Sequence, residues 1–261
     1  MKVVILCGGQ GTRIRDVADD LPKPMIPIGS RPILWHIMKN YASYGFNEFV
    51  LCLGYRGQVI KDFFLNYDML THDFELTLGQ PNSLKIHNTS QREDWRITLA
   101  ETGLHAMTGD RVRNIKNYIG DDETFMLTYG DGLSDIDIDA LAAFHESHGK
   151  IATLTGVRPP GRFGELESDG NGMVLEFNEK PQATGGRISG GFFVLNRRIF
   201  DYLPNEDGLV FEEQPLRGLV RDNQLMVHQH DGFWQCMDTY RDYKLLNTLW
   251  EDGNAPWRNW A

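Results

Sequence analysis

The chain has little cysteine, fewer basic than acidic residues, and no apolar run approaching the length of a membrane span. Its three cysteines, Cys7, Cys52 and Cys236, are odd in number and widely spaced, which leaves no disulfide framework and no zinc pattern. Cys7 and Cys52 lie inside apolar runs and read as small buried side chains. A formal charge of −10 argues against nucleic acid or an anionic membrane as the partner. An anionic substrate would have to be met by a local basic cluster. The chain passes from Met1-Lys2 into a short apolar run and then glycines, without the length or cleavage pattern of a secretory signal, so the expected location is cytoplasmic. No internal repeat, low-complexity tract or linker is visible, and residues 1–261 read as a single domain.

Two well-known phosphate motifs are missing as well. A dinucleotide fingerprint read from Gly9 requires a third glycine where Ile14 stands, and the one Gly-Lys pair, Gly149-Lys150, lacks the upstream glycine of a P-loop. His145-Glu146-Ser147-His148 is one residue short of the His-Glu-x-x-His zinc motif and closes a helix before Gly149, so it is set aside as a site.

What is present is Val3-Val4-Ile5-Leu6-Cys7, then Gly8-Gly9-Gln10-Gly11-Thr12-Arg13, then Leu21-Pro22-Lys23-Pro24-Met25. Consecutive apolar residues fit a strand buried on both faces of a parallel sheet. Glycines at its carboxyl end let backbone N–H groups approach an anion, so the segment reads as a phosphate cradle. Arg13, Arg15 and Lys23 supply the local basic cluster, Lys23 from a stiff extended loop between two prolines. A tight strand-to-helix turn followed by a charged surface loop would leave the same pattern.

Ile33, Leu34, Ile37, Met38 and Tyr41 follow at helical spacing, with Pro32 in the first turn and Gly45 as the stop, and Glu48 to Leu53 reads as a second buried strand. That makes a right-handed βαβ unit. A short helix is expected over Gln58 to Leu65, and strands around Phe74 to Leu78 and Arg96 to Leu99 with a loop near Asn82 to Glu93 between them. Thr108 reads as the N-cap of a helix reaching Ile119. The strand Phe125 to Tyr129 ends in Gly130-Asp131-Gly132, where an acid is well placed to hold a hard cation against phosphate. Strands are expected at Ile151 to Val157 and Met173 to Phe177, and Asp238 precedes a helix from Tyr240 to Trp250 as an N-cap would. The expected class is α/β, a Rossmann-like three-layer α/β/α sandwich with a mixed, mostly parallel sheet.

The glycine segment with Lys23-Pro24 resembles the signature of sugar-1-phosphate nucleotidylyltransferases. Arg31-Pro32-Ile33-Leu34-Trp35-His36-Ile37-Met38, Thr128-Tyr129-Gly130-Asp131-Gly132, Pro159-Pro160-Gly161-Arg162-Phe163-Gly164, Gly190-Gly191-Phe192-Phe193-Val194-Leu195-Asn196 and Trp234-Gln235 with Met237-Asp238-Thr239 resemble its glucose-1-phosphate cytidylyltransferase branch. The resemblance implies transfer of the cytidylyl group of CTP to glucose 1-phosphate, giving CDP-glucose for surface polysaccharide such as the lipopolysaccharide O-antigen. It implies Mg²⁺ held by Asp131 and Asp238, and catalysis by Arg13, Lys23, Asp131, Lys180 and Asp238. Leu6, Gly8, Gly9, Gly11, Thr12, Arg13, Lys23, Thr108, Gly109, Arg111, Gly130 and Asp131 would meet the nucleotide. Glu179, Lys180, Ser189 and Gly190 would meet the sugar phosphate. A homo-oligomer, up to a hexamer, is also implied.

Two departures bear on the sugar. Ser189 stands where the family has asparagine before Gly-Gly-Phe-Phe, and Cys236 where it has proline. Serine is shorter than asparagine and offers different donors and acceptors. Another phosphorylated acceptor, dTTP or UTP in place of CTP, or a silent sugar-nucleotide-binding module are the competing readings.

Overall fold

The computed structural model describes residues 1–9, 14, 20–80, 83–87, 93–159, 165–168, 173–178 and 186–260. A seven-stranded sheet runs through the protein: β1 (Val3–Leu6), β2 (Glu48–Leu53), β3 (Arg96–Glu101), β4 (Thr124–Tyr129), β5 (Ala152–Val157), β6 (Ile188–Asn196) and β7 (Leu225–His230), in the spatial order β7-β5-β6-β4-β1-β2-β3. β1 is central and pairs in parallel with β2 and β4, β2 with β3, and β5 with β7; β6 alone is antiparallel, to both β4 and β5. The carboxyl ends of six strands therefore share one edge. Ligands of open α/β sheets sit beyond that edge.

β1 is continuously apolar, and β2 nearly so, because both faces are covered. Val3, Ile5, Phe49 and Leu51 point into one core with Ile33, Ile37 and Tyr41 of α1 (Ile33–Ser43), Ile60 of α2 (Gly57–Leu65) and Trp257 of the C-terminal tail. Val4, Leu6, Val50 and Cys52 point into the other with Val112 of α3 (Thr108–Asn114) and Leu216 and Leu219 of α5 (Gln214–Arg221). Period-two alternation thus divides each strand between two helical layers, and the expected three-layer mixed sheet is what forms. α4 (Ile138–His148) and, after β7, α6 (Tyr240–Glu251) join the first of these layers through Ile138, Leu141 and Leu246. Among the described residues no helix is long and apolar enough to cross a membrane.

Several local expectations need correction. Pro32 is the N-cap of α1, not a first-turn residue, because it closes a two-residue ladder, Pro27–Ile28 with Arg31–Pro32. Tyr67–Thr71 forms a further helical turn beyond α2. The strand expected from Phe74 to Leu78 is limited to Phe74–Glu75, which pairs with Lys85–Ile86 inside the span read as loop. No third strand joins that small ladder among the described residues.

His36 and His145 are buried and neutral for identifiable reasons. The His36 Nε2–H donates to the Ile28 carbonyl at 3.0 Å, while Nδ1 accepts from the Trp257 indole at 3.4 Å. A second ring proton would face that indole N–H, and burial holds the pKa at about 4. In α4, His145 Nδ1 meets the Thr153 hydroxyl at 2.9 Å, and burial and then His148 lower its pKa to about 4 as well. Both values lie below the unfolded value near 6.5, so the unfolded chain binds more protons between pH 6.5 and 4. Stability is complete well above pH 6.5 and falls as pH drops through that window, for His36 by about 2 kcal/mol at pH 5. Urea unfolding at pH 7.5 and pH 5 checks this: the midpoint drops at pH 5, and a His145→Asn variant shows a smaller drop.

Candidate active site

At the carboxyl edge of the sheet a cavity of about 660 Å³ opens between the ends of β1 and β4, within the range of small-molecule sites. Leu6, Gly8, Gly9, Lys23, Thr108, Arg111, Gly130, Asp131 and Asp238 all line it, and all were singled out from sequence. Leu104, His105, Ala106 and Met107 form a wall that sequence reasoning missed. The expected site residues Gly11, Thr12, Arg13, Glu179 and Lys180 lie outside the described residues, as does Arg15 of the basic cluster.

Asp131 and Asp238 are brought together by a short ladder. Gly132–Ser134 pairs antiparallel with Trp234–Cys236, and the Met237 N–H continues it by donating to the Asp131 carbonyl at 2.9 Å. The two aspartates extend from the same end of this ladder. Trp234 ties the ladder to the sheet by donating its indole N–H to the Gly190 carbonyl at 2.7 Å. The N-cap of α6 is Thr239, not Asp238, and it exchanges hydrogen bonds with Asp242 in a capping box.

Lys23 lies between the two carboxylates. Its ammonium donates to Asp131 Oδ2 at 2.5 Å and Asp238 Oδ1 at 2.6 Å, with only 12% of the side chain exposed. Burial alone would lower its pKa, but the two carboxylates raise it above the ordinary lysine value. The backbone here is a single 3₁₀ turn, Lys23–Met25, where an extended loop was expected. The turn closes because Met25 N–H donates to Pro22 O and Ile26 N–H to Lys23 O, bonds that neither proline's missing N–H interrupts. The lysine is still presented from a stiff backbone.

The glycine segment is braced from below by Arg111. Its Nη1 donates to Leu53 O, Thr102 Oγ1 and Gly103 O at 2.8 to 2.9 Å, and Nη2 to Gly8 O at 3.1 Å. Burial lowers the guanidinium pKa. A Cβ on Gly8 would overlap this guanidinium, and one on Gly54 would lie 2.6 Å from Nη1, so close approach is what both glycines permit. Gly130 likewise admits Leu6 O and Pro24, each 3.0 Å from where its Cβ would be.

Thr108 is the first residue of α3 and does not cap it. Its hydroxyl accepts from Phe211 N–H at 2.9 Å and donates to Glu212 Oε2 at 2.6 Å, while the Tyr129 hydroxyl donates to Glu212 Oε1. Glu212 therefore joins two cavity residues, and nothing in Phe211-Glu212-Glu213 distinguishes it from a surface acid. Gly109 packs against Leu209, which its N–H meets at 2.8 Å. Ser189 and Gly190 are at the start of β6 on the same edge, Ser189 exposed and opposite Gly156, but they do not line this cavity.

Cys236 is adjacent to the acidic pair, with Sγ 3.6 Å from Asp238 Oδ2. Burial, then Asp238 and Asp131, push its pKa up to about 12. At neutral pH it is a thiol and a poor nucleophile.

The donor set suits a hard divalent cation. Two carboxylates point at one spot, and Mg²⁺ characteristically takes one or two carboxylates and fills its remaining positions with water and substrate phosphates. Among the described residues no group of three or more His, Cys, Asp or Glu could hold a metal alone. Phosphate oxygens would have to complete the shell.

The chain is 47% identical over 260 residues to "Glucose-1-phosphate cytidylyltransferase" of Salmonella typhi, covering 100% of both chains. It is 46% identical over 260 residues to "Probable glucose-1-phosphate cytidylyltransferase" of Bacillus subtilis, again covering 100% of both. Among solved structures, a putative glucose-1-phosphate thymidylyltransferase from Bacillus anthracis superposes with a TM-score of 0.66 at 15% identity, covering 97% of this chain and 96% of that one, a likeness of fold. The profile of the family described as nucleotidyl transferase matches residues 2–252, and on that match and the full-length identities the chain belongs to the nucleotidyl transferase family.

Proposed function

We propose that this enzyme transfers the cytidylyl group of CTP to α-D-glucose 1-phosphate, releasing pyrophosphate and CDP-glucose. The observation that carries the substrates is the identity of 46 to 47% along the whole chain to cytidylyltransferases so named. The observation that carries the chemistry is a cavity holding glycine backbone, one lysine and two converging aspartates.

A phosphate oxygen of the sugar 1-phosphate attacks the α-phosphorus of CTP; that P–O bond forms as the bond to the β-phosphate bridging oxygen breaks, and pyrophosphate carries the charge away. No side chain need become covalently attached. The chain's task is to hold two anions in line and offset their charge. Gly8 and Gly9 receive phosphate on backbone N–H groups, and Lys23 serves the triphosphate. Arg13 and Lys180 are assigned to the departing pyrophosphate and the attacking phosphate, and Glu179, Ser189 and Gly190 to the sugar. Nucleotidyl transferases generally work with a divalent metal; here Asp131 and Asp238 would hold Mg²⁺, which supplies charge neutralisation at the phosphates. Residues 1–261 act as one catalytic domain, in a cytoplasmic homo-oligomer whose size sedimentation velocity would read.

Pyrophosphate release with Mg²⁺ tests the reading, pairing CTP, UTP, dTTP, ATP and GTP with glucose 1-phosphate and other phosphorylated acceptors. Release confined to CTP with glucose 1-phosphate is expected. Turnover with CTP but a different acceptor would keep the chemistry and move the sugar assignment at Ser189. Silence with every pair would leave a binding module.

A further inference from the structure

The Lys23 ammonium occupies the position that the two carboxylates would offer a metal ion. It contacts Asp131 Oδ2 at 2.5 Å and Asp238 Oδ1 at 2.6 Å, only about half an ångström longer than the ~2.1 Å bonds of Mg²⁺. The two oxygens are no farther apart than the sum of those distances, with the ammonium between them. A lysine and a divalent cation cannot both stand there: their positive charges would lie within contact distance in a half-buried site. One must leave when the other arrives.

The geometry points to Lys23 as a built-in counter-cation that metal and nucleotide displace together. The proposal rests on the reading of Asp131 and Asp238 as the metal-holding pair, and adds that the nucleotide-free protein resists the metal because its own lysine is already there. Three features make the exchange local. The Lys23 backbone is closed in a turn by Pro22 O and Lys23 O, and Pro24 is packed against Gly130, so the backbone stays in place. The four-carbon side chain is the part free to swing. The cavity that Lys23 lines continues from the aspartates to Gly8 and Gly9, so an ammonium released from the carboxylates remains within the volume where a triphosphate would rest.

Charge then sets the order of events. While the ammonium contacts both carboxylates it offsets part of their negative charge and weakens their attraction for a divalent cation. A triphosphate beside Gly8 and Gly9 offers Lys23 an alternative anionic partner, and withdrawal of the ammonium restores both carboxylates to the metal. Each ligand therefore raises the affinity for the other, as linkage requires. The free enzyme is kept from holding a metal ion without its nucleotide.

The test is Mn²⁺ binding to the nucleotide-free full chain, read by loss of the free-ion electron paramagnetic resonance signal. Lys23→Met is expected to bind Mn²⁺ at least tenfold more tightly than the unaltered protein, and adding Asp131→Asn to it should abolish the gain. Because Lys23→Met removes the cation between two carboxylates and could unfold, a second readout uses the unaltered protein. Lys23 is acetylated by acetic anhydride and followed by peptide mass spectrometry, with and without saturating Mn²⁺. Slow acetylation that Mn²⁺ accelerates several-fold supports the exchange. Equal Mn²⁺ affinity in Lys23→Met and the parent, or Lys23 acetylation that Mn²⁺ leaves unchanged or slows, overturns it while leaving the metal pair intact. If Asp131→Asn and Asp238→Asn each bind Mn²⁺ as the parent does, the metal pair itself is wrong and the exchange falls with it.

Discussion

Asp131→Asn lowers the rate of pyrophosphate release at saturating substrates by about 100- to 1,000-fold, the usual cost of removing one preorganised electrostatic contact from a phosphoryl-transfer site. The substitution keeps the size and shape of the side chain and removes its charge. The local backbone does not depend on that charge, because the Asp131 carbonyl is still held by Met237 N–H and Gly132 still pairs with Cys236. Lys23 keeps its contact with Asp238 at 2.6 Å, so the thermal midpoint should move little. The expected signature is thus a fall in kcat without loss of fold. Single-turnover kinetics with calorimetry on the same sample would check it, and turnover within threefold of the parent in a folded variant would remove Asp131 from the catalytic group.

Much of this arrangement was legible before any coordinates. Strands buried on both faces announce themselves as unbroken apolar runs, so β1, β2 and β4 were found nearly residue for residue, and the glycines and Asp131 follow from where those strands end. Asp238 was ambiguous for a physical reason: an acid before a helix is as good a cap as a ligand. The structure removes the cap reading by giving that role to Thr239, and does the same for Thr108, which is used by Glu212 and Phe211 instead. Glu212 was invisible because its relation to Tyr129 and Thr108 exists only in three dimensions. Lys23 was placed in an extended loop because flanking prolines disfavour α-helix, but a single 3₁₀ turn needs only the N–H groups of Met25 and Ile26, and both are present. The strand expected over Phe74 to Leu78 forms only at Phe74–Glu75, and its partner Lys85–Ile86 is hidden in the sequence because two residues carry no periodicity.

Arg111 is the residue whose sequence reading changes most in scope, and its replacement carries the second large expectation. The family resemblance implies a contact from Arg111 to the nucleotide; the structure shows Nη1 and Nη2 spread across Leu53 O, Thr102 Oγ1, Gly103 O and Gly8 O. In a trans peptide the carbonyl and the following N–H point in opposite directions. Turning Gly8 O down onto Arg111 therefore turns the Gly9 N–H up, the orientation an anion at the glycine segment requires. Arg111→Met leaves the Gly103 and Gly8 carbonyls without their charged donor, although Tyr55 N–H still reaches Gly8 O at 3.2 Å and Thr102 still donates to Leu53 O at 2.7 Å. Losing the equivalent of one or two charge-assisted hydrogen bonds costs about 3 kcal/mol, which for a chain of this size lowers the thermal midpoint by about 5–10 °C. Nucleotide affinity should fall with it, because the Gly8–Gly9 peptide keeps the Tyr55 N–H but loses the guanidinium, and its N–H is held less firmly toward the phosphates. Arg111→Lys separates charge from geometry: one ammonium keeps the positive charge but cannot span acceptors on three different loops as a planar fork does. It should rescue little of either loss. Calorimetric titration of CTP and thermal unfolding of both variants decide the matter, since parent-like values for Arg111→Lys would mean that charge near the nucleotide, rather than the hold on Gly8, is what Arg111 provides.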